Sequence, residues 1–319
     1  MHPILIPLQV GGQDFSLHTY GLMMATAFVV AIWIAVRQAR RTGQDPEDVM
    51  DISFWILISA MVGARVLFIF VNADQYWYAC TDFEHFNATF DPPEPLDGAH
   101  CFEVLKVWTG GLVFYGGFLG AVAAAVWYCR SHGLRFFRIA DTLVPSVALG
   151  QCFGRLGCLA AGCCWGKACD LAWGIHLPAH SMAWKGQLES GLIDRFAETT
   201  VAIHPTQLYE SLATLGIFTL LVLYRQRKRY HGQVLLMYLL VYPVTRSFIE
   251  VFRGDKERGA LFHWGNDGLN AVLGLPEGSW VLLSTSQFIS LLVAAAALVL
   301  LWSRKRRPPG EEAAAVAPA

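Results

Sequence analysis

Residues 144 to 166 read Val144-Pro-Ser-Val-Ala-Leu-Gly-Gln-Cys-Phe-Gly-Arg-Leu-Gly-Cys-Leu-Ala-Ala-Gly-Cys-Cys-Trp-Gly166. The stretch is apolar enough to lie in a lipid bilayer, yet Arg155 stands near its middle. Moving one arginine to the bilayer centre costs about 2.5–3.5 kcal/mol on insertion scales, so an arginine there indicates a binding site or an ion pathway. We therefore expect Arg155 to bind an anion, and we expect the surrounding glycines to admit a neighbouring backbone or a lipid headgroup.

The overall composition is typical of a membrane protein. Of the 319 residues, 55% are hydrophobic and only 15% are charged, whereas soluble domains have about 25% charged residues. Residues 1–18 lack the basic start of a cleaved signal peptide, so the first apolar run is expected to remain as a span. The formal net charge of -1 gives no indication of nucleic-acid binding, and we expect no nucleic-acid partner.

Seven segments have the length and apolar character needed to cross a bilayer, about 20 residues each. We therefore predict an all-α polytopic membrane protein with about seven transmembrane helices. The segments lie near residues 19–36, 52–71, 111–129, 139–161, 206–224, 233–252 and 281–302.

Basic residues cluster after the first, third, fifth and seventh of these segments, and the clusters hold 14 of the 24 Lys and Arg residues. Because positive charge stays on the cytoplasmic side, this alternation predicts an outside amino terminus and a cytoplasmic carboxyl terminus. The outward connections then lie near 72–106, 167–205 and 253–280. We predict one transmembrane domain over residues 1–307 and a disordered cytoplasmic tail at 308–319.

The sixth segment carries Tyr242, Arg246 and Glu250, whose spacing places them along one stripe of a helix. Such a stripe builds a polar pocket within the membrane. The alternative is an ion pair of Arg246 with Glu250 that only neutralises itself. Arg155, together with Arg65 in the second segment, favours the pocket, because one glutamate does not balance three positive charges.

A polar motif, His204-Pro-Thr-Gln-Leu-Tyr-Glu210, opens the fifth segment. His204, Gln207 and Glu210 lie near one face of the helix at the outer membrane boundary. A histidine in this position is more often a helix cap than a catalyst, so the motif alone is a weak indication of function.

The third segment opens with Tyr115 between two Gly-Gly pairs. Gly116 and Gly120 form a small-xxx-small pair that favours close packing of two helices. Tyr20 opens the first segment, where a tyrosine also serves as an interface anchor.

The eight cysteines fall into groups. Cys80 and Cys101 share one outward connection, where an oxidising compartment favours a disulfide between them. A second group consists of Cys158, Cys163, Cys164 and Cys169. Its C-x4-C-C-x4-C spacing differs from the C-x2-C of zinc sites, so apolar packing or a second disulfide is favoured over metal binding.

Taken together, the motifs resemble the prolipoprotein diacylglyceryl transferases of bacterial inner membranes. The matching elements, in chain order, are Tyr20-Gly-Leu-Met, Gly154-Arg-Leu-Gly157, Gly162-x-x-Trp165-Gly166, His204-Pro-Thr-Gln-Leu-Tyr-Glu210, Tyr242 to Arg246, and Ser286-Gln287.

The resemblance implies an enzyme of the bacterial inner membrane whose active site faces the outer leaflet. It implies transfer of the diacylglyceryl group of phosphatidylglycerol to the lipobox cysteine thiol of preprolipoprotein signal peptides. A thioether forms and glycerol phosphate leaves, and no metal or organic cofactor is expected. Two alternatives stay open: a paralogue that uses the same lipid on another acceptor, and a non-catalytic phospholipid-binding or transport protein.

The same resemblance suggests roles for individual residues. Arg155 and Arg246 are the candidates for holding the phosphate and stabilising its developing charge. Tyr115 is the third candidate catalytic residue. The expected substrate-binding positions are Arg155, Tyr20, Tyr242, Glu250, His204, Gln207 and Arg65.

Three positions depart from the family pattern. Tyr115 stands where the family has the histidine of His-Gly-Gly, a candidate base for the thiol, and a neutral tyrosine hydroxyl is a poor base. Cys158 replaces an asparagine, and the usual Gly-Glu-x-Trp-Gly is Gly162-Cys-Cys-Trp-Gly166. The proton acceptor, the role of these cysteines, the acceptor proteins and the oligomeric state are therefore not specified by the sequence.

Overall fold

The structure is a computed structural model that describes residues 4–10, 13–90, 101, 111–254, 260–265 and 280–305. The tail predicted at 308–319 lies outside the described residues. So does most of the predicted connection 253–280.

The described residues are mainly helical, in agreement with the predicted class, and two antiparallel β-hairpins are added to the helices. The hairpins pair β1 (Ile4–Val10) with β2 (Gln13–His18), and β3 (Ala260–Gly265) with β4 (Trp280–Ser284). The helices are α1 (Thr19–Arg41), α2 (Pro46–Val71), α3 (Ala73–Thr81), α4 (Phe83–Phe90), α5 (Phe114–Ser131), α6 (Phe136–Ala161), α7 (Met182–Glu189), α8 (Thr206–Tyr224), α9 (Gln233–Glu250) and α10 (Thr285–Lys305).

Among the described residues, five stretches are long and apolar enough to cross a membrane. They correspond to α1, α2, α6, α8 and α10, and each coincides with a predicted segment. The two other predicted segments coincide with α5 and α9, which are helices of 18 residues. Each of these two helices carries charge near its carboxyl end: Arg130 in α5, and Arg246 and Glu250 in α9. The structure thus fits a multi-pass membrane protein, and the count of seven and the orientation stay predictions.

The chain divides into two compact units. The first unit joins Met1–Gln38 to Ala140–Ala319, and the second unit is Ala39–Ile139.

In the second unit, α2 packs along α5 with the two backbones in close contact. A Cβ atom added at Gly116 would overlap the carbonyl group of Gly63, and one added at Gly120 would overlap that of Ser59. The predicted role of Gly116 and Gly120 in close helix packing is therefore confirmed.

The second unit also contains the predicted disulfide. Cys80 of α3 is bonded to Cys101. The other six cysteines of the chain are free thiols, so the structure does not form a second disulfide within Cys158–Cys169.

The core of the first unit lies where α6, α8 and α9 meet. Val144 and Ala148 of α6 pack with Ile217 and Leu221 of α8 and with Val234 of α9. All five side chains are less than 9% exposed. This apolar cluster fixes the spacing of the three helices that carry the polar residues described below.

A buried carboxylate joins α6 to the start of α9. Asp141, which is 0% exposed, accepts hydrogen bonds from the backbone N–H groups of Gly232, Val234 and Leu235 at 2.9–3.1 Å. Lys228 Nζ lies 3.2 Å from the same carboxylate. Asp141 therefore satisfies the otherwise unpaired first N–H groups of α9 and adds a favourable charge at the positive end of the helix.

Candidate active site

The carboxylate of Glu210 is the centre of the polar cluster in the first unit. Its Oε2 lies 2.7 Å from Nε of Arg155, and its Oε1 lies 3.0 Å from Nε of Arg246. Arg253 Nη1 is 3.9 Å from Oε2. Three guanidinium groups from different parts of the chain thus meet at one carboxylate that is 4% exposed. A buried carboxylate is tolerated only with such compensation.

A second carboxylate completes the cluster. Glu250 forms an ion pair with Nη1 of Arg246, one helical turn away on α9. The ion pair considered as an alternative for the sixth segment therefore exists, but Arg246 also binds Glu210. Three arginines and two glutamates carry a formal charge of three minus two, or +1. Among these five residues, guanidinium groups therefore outnumber carboxylates.

Tyr242 lies one turn before Arg246 on the predicted stripe, and its hydroxyl is close enough to the guanidinium group of Arg155 for the two to interact electrostatically. Its ring stacks on that of Tyr238, with the ring centroids 5.3 Å apart. The hydroxyl of Tyr238 donates to Oε1 of Gln151 at 3.1 Å. The structure thereby brings Arg155, Arg246, Tyr242 and Glu250 together, and their roles in binding or catalysis stay predictions.

Tyr20 lies beside the same cluster. Its ring is so close to Gly157 that a Cβ atom added there would be 3.2 Å from Tyr20 Cδ2. The charge of Arg155 also reaches the tyrosine hydroxyl. Tyr20 is 43% exposed, so its side chain remains accessible to a ligand. The glycine favours the close approach of α1 to α6 at this point, because an added Cβ atom would make a tight contact.

The predicted residues His204 and Gln207 shape the backbone beside the cluster. His204 is 1% exposed, and its Nδ1 lies 3.3 Å from the Tyr209 hydroxyl. Gln207 Nε2 donates to the carbonyl oxygen of Cys163 at 2.7 Å, and the neighbouring Thr206 Oγ1 donates to that of Cys164 at 2.9 Å. The motif that opens α8 therefore holds the turn that follows α6.

Arg253 was not among the predicted site residues, because the sequence placed it in an outward connection. The structure anchors it through the segment after α6. Gly254 N donates to the carbonyl oxygen of Trp165 at 3.0 Å, and Lys167 N donates to that of Phe252 at 2.8 Å. A Cβ atom at Gly166 would overlap the carbonyl group of His204. The signal was present in the sequence, since Arg253 follows Glu250 by three residues and extends the polar stripe.

Glu210 was also missed as a site residue, although it belongs to the motif that opens the fifth segment. The prediction from sequence sets only Glu250 against three intramembrane arginines. This excess of arginines indicates that a further carboxylate is needed, and Glu210 provides it.

Two of the predicted site residues, Arg65 and Tyr115, belong to the second unit. Arg65 is 6% exposed. Its Nη1 donates to the carbonyl oxygen of Gly111 at 3.3 Å, and its guanidinium group lies 5.6 Å from the ring centres of Phe68 and Tyr76. Tyr115 is 55% exposed at the start of α5.

The cysteines after α6 form a compact group. The Sγ atoms of Cys158, Cys163 and Cys164 all lie within 4.8 Å of one another. Hydrogen bonds from Cys158 and Cys163 lower the pKa of the Cys164 thiol, and the positive charges of Arg253 and Arg155 act in the same direction.

Lys167 follows this group in the chain. Burial lowers the pKa of its ammonium group below the usual value, because desolvation disfavours the charged form.

An apolar cavity of about 600 Å³ lies in the same unit, on the side of α8 and α9 that carries His204. Aromatic side chains form much of its wall, including Trp173, Tyr209, Phe248 and Phe252. The cluster of arginines and this cavity therefore offer a polar and an apolar surface within one unit.

Residues 6–303 match the family model for prolipoprotein diacylglyceryl transferase. The curated relatives include proteins named phosphatidylglycerol–prolipoprotein diacylglyceryl transferase. One from Thermosynechococcus vestitus is 31% identical over 242 residues, which cover 75% of this chain and 78% of that protein. One from Clostridium tetani is 27% identical and covers 91% of this chain and 93% of that protein. One from Pseudoalteromonas atlantica is 29% identical and covers 90% and 85%. Because the family model spans nearly the whole sequence, the chain belongs to the prolipoprotein diacylglyceryl transferase family.

Proposed function

We propose that the protein transfers the diacylglyceryl group of phosphatidylglycerol to the lipobox cysteine thiol of a preprolipoprotein. The names of its relatives give this donor and a prolipoprotein acceptor. The observation that carries the proposal is the cluster in which Arg155, Arg246 and Arg253 surround Glu210.

The charge of the cluster suits the donor lipid. The phosphodiester of phosphatidylglycerol carries one negative charge, and the three guanidinium groups of the cluster are positively charged. Guanidinium groups offer several N–H donors in a planar fork that fits phosphate oxygens. Glu210 and Glu250 hold the guanidinium groups before the lipid arrives, so little reorganisation is needed in the reaction.

The chemical step is a displacement at the glyceryl carbon that bears the phosphate. The thiolate of the acceptor forms a C–S bond to this carbon, and the C–O bond to phosphate breaks. The electron pair of that bond leaves with the oxygen of glycerol phosphate, and the thiol proton passes to a basic group or to water before or during attack. Negative charge grows on the phosphate, so guanidinium groups placed beside it lower the barrier.

The remaining predicted residues have supporting roles in this proposal. Tyr20 and Tyr242 orient the headgroup, and His204 and Gln207 hold the backbone next to it. Arg65 and Tyr115, from the second unit, stay predictions as a lipid contact and a proton acceptor. A Tyr115→Phe variant tests the latter, since loss of the hydroxyl abolishes transfer if Tyr115 takes the proton.

We further infer that the protein resides in a bacterial inner membrane, with seven spans and the reaction at the outer leaflet. The alternation of the basic clusters supports this orientation. In this arrangement the secreted acceptor reaches the lipid donor on the side to which it is exported.

Transfer in proteoliposomes tests the proposal. Full-length protein is reconstituted with phosphatidylglycerol, and a peptide bearing a lipobox cysteine is added. We expect Arg155→Ala, Arg246→Ala and Arg253→Ala each to lower kcat/KM by about 100-fold or more, the effect of removing one charge-stabilising donor. Arg195→Ala is the matched control, because Arg195 is exposed, and it is expected to match the wild type.

The same assay separates the alternatives. Binding of phosphatidylglycerol without any thioether product indicates a lipid-binding or transport protein. Transfer to other thiols but never to the lipobox peptide indicates a paralogue. Full activity in all three arginine variants contradicts the proposed role of the cluster.

A further inference from the structure

The three clustered thiols have no role in the reaction as written above. The Sγ atoms of Cys158, Cys163 and Cys164 all lie within 4.8 Å of one another. Zinc binds thiolates at about 2.3 Å, which places neighbouring sulfurs of a tetrahedral site roughly 3.8 Å apart. The three sulfurs therefore lie within about 1 Å of the spacing that binding to one zinc ion requires.

The backbone already holds the three residues in this arrangement. Cys163 N donates to the carbonyl oxygen of Cys158 at 3.1 Å, so the chain after α6 folds back over the last turn of the helix. Gly162 has a φ of +69° and Cys164 a φ of +59°. The left-handed conformation is unfavourable for a non-glycine residue, and such strain concentrates at functional sites. The turn brings two successive cysteines next to the one on the helix.

Buried side chains support the ligand residues from behind. Gln207 Nε2 donates to the carbonyl oxygen of Cys163 and Thr206 Oγ1 to that of Cys164, at 2.7 and 2.9 Å. Both side chains are nearly inaccessible, with exposures of 0% and 1%. Metal sites depend on outer hydrogen bonds of this kind to fix the geometry of their ligands.

Ligand type and number identify the metal. Soft thiolates favour zinc and copper(I) over magnesium, calcium or manganese. Three protein ligands with one open position are the pattern of catalytic zinc, and among the described residues no histidine or carboxylate joins the three sulfurs. Zinc with three thiolates carries a charge of -1, and the positively charged Arg155 lies three residues before Cys158 on α6, near the same face of the helix.

We propose that Cys158, Cys163 and Cys164 bind one zinc ion whose open position takes the thiol of the acceptor cysteine. The second half of this inference rests on the proposed function. The acceptor thiol loses its proton to water on coordination, so in this proposal water replaces Tyr115 as the proton acceptor. Its sulfur then attacks the glyceryl carbon as the C–O bond to phosphate breaks, and the thioether, a weak ligand, dissociates. Coordination supplies the thiolate without a strong base, which fits a chain with Tyr115 at the family's histidine position.

Metal analysis of the full-length protein tests the site independently of transfer. Protein purified in detergent is loaded with zinc by dialysis. We expect it to retain one bound zinc ion per chain. Cys158→Ser and Cys163→Ser are expected to lose it, whereas Cys169→Ser, which alters a cysteine of the same loop outside the group, retains it. Thermal unfolding of each variant in the apo form shows whether it is folded. Wild-type protein with no more zinc than the Cys158→Ser variant contradicts the inference, as does a disulfide among the three cysteines in freshly purified protein.

Cobalt replacement tests the open position. Cobalt(II) bound to the wild type is expected to show a thiolate charge-transfer band in the near ultraviolet. A lipobox peptide with cysteine is expected to strengthen the band, and the same peptide with serine is not. A band that the cysteine peptide leaves unchanged contradicts coordination of the acceptor.

The two proposals fail in different ways. If metal-free wild-type protein carries out transfer, the role of zinc in the reaction is contradicted, and the proposed function stands. If the protein binds zinc but forms no thioether, the proposed function is contradicted, and the metal site stands.

Discussion

At the scale of single residues, Glu210 is the carboxylate that three arginines of the cluster share. Arg155, Arg246 and Arg253 approach its two oxygens at 2.7, 3.0 and 3.9 Å. Each guanidinium group would be costly to bury alone, and the shared carboxylate offsets part of this cost. Glu210 therefore orients the residues proposed to contact the lipid without itself needing to touch it.

We expect Glu210→Gln to lower both stability and activity. The amide keeps the shape of the side chain but leaves three positive charges facing one another, and breaking a buried ion pair costs about 3 kcal/mol. The free energy of unfolding and the rate of transfer are measured on the same preparation. Glu198→Gln is the control, because Glu198 is exposed. A Glu210→Gln protein as stable and active as the wild type would contradict this role.

Residue types and helical spacing predicted much of the cluster. Tyr242, Arg246 and Glu250 share one stripe of α9, and that stripe follows from the helical period alone. Arg253 was missed because it follows the apolar run. Hydropathy alone does not predict that a side chain beyond the end of a helix contacts Glu210. The meeting of Arg155 with Glu210 depends on how α6 packs against α8, which spacing within one helix does not reveal.

At the scale of elements, glycines determine how closely helices approach. Gly63, Gly116 and Gly120 let the backbones of α2 and α5 touch. The small-xxx-small spacing predicted a close contact, but it did not name the partner helix. The two hairpins were not predicted, since their sequences contain no period strong enough to distinguish strands from connections.

Gly116→Ala is expected to destabilise the second unit. The added methyl group overlaps the Gly63 carbonyl, and overpacking of this kind costs about 1–3 kcal/mol. Denaturant unfolding of the reconstituted protein measures the effect. Gly216→Ala in α8 is a matched control, because nothing lies within 4 Å of the added atom. Equal stability of the two variants would contradict close packing at Gly116.

At the scale of the whole molecule, both the alternation of basic clusters and the disulfide indicate on which side of the membrane residues 72–106 lie. The orientation inferred from the basic clusters places residues 72–106 outside the cytoplasm. Cys80 and Cys101, which lie in this connection, form a disulfide. Disulfides persist in oxidising compartments and are rare in the cytosol, so the bond agrees with the predicted side.

We expect the disulfide to react from outside the inner membrane of intact cells. A reductant that does not cross this membrane should release Cys80 and Cys101 for alkylation by a reagent that is also impermeant. A Cys80→Ser variant, which cannot form the bond, shows which part of the alkylation signal depends on the Cys80–Cys101 disulfide. A reporter enzyme that folds only in the cytoplasm, fused after residue 305, should be active. Labelling of the pair only after lysis would reverse the predicted orientation.

The shared carboxylate of Glu210 also has a consequence for biogenesis. Arg155 precedes Glu210 in the chain, so during translation the arginine reaches the insertion machinery before its counter-charge has been made. Partitioning into lipid at that moment would cost about 2.5–3.5 kcal/mol. The nascent α6 is then best retained in a hydrated insertion channel until α8 follows, and the two enter the lipid phase as a pair.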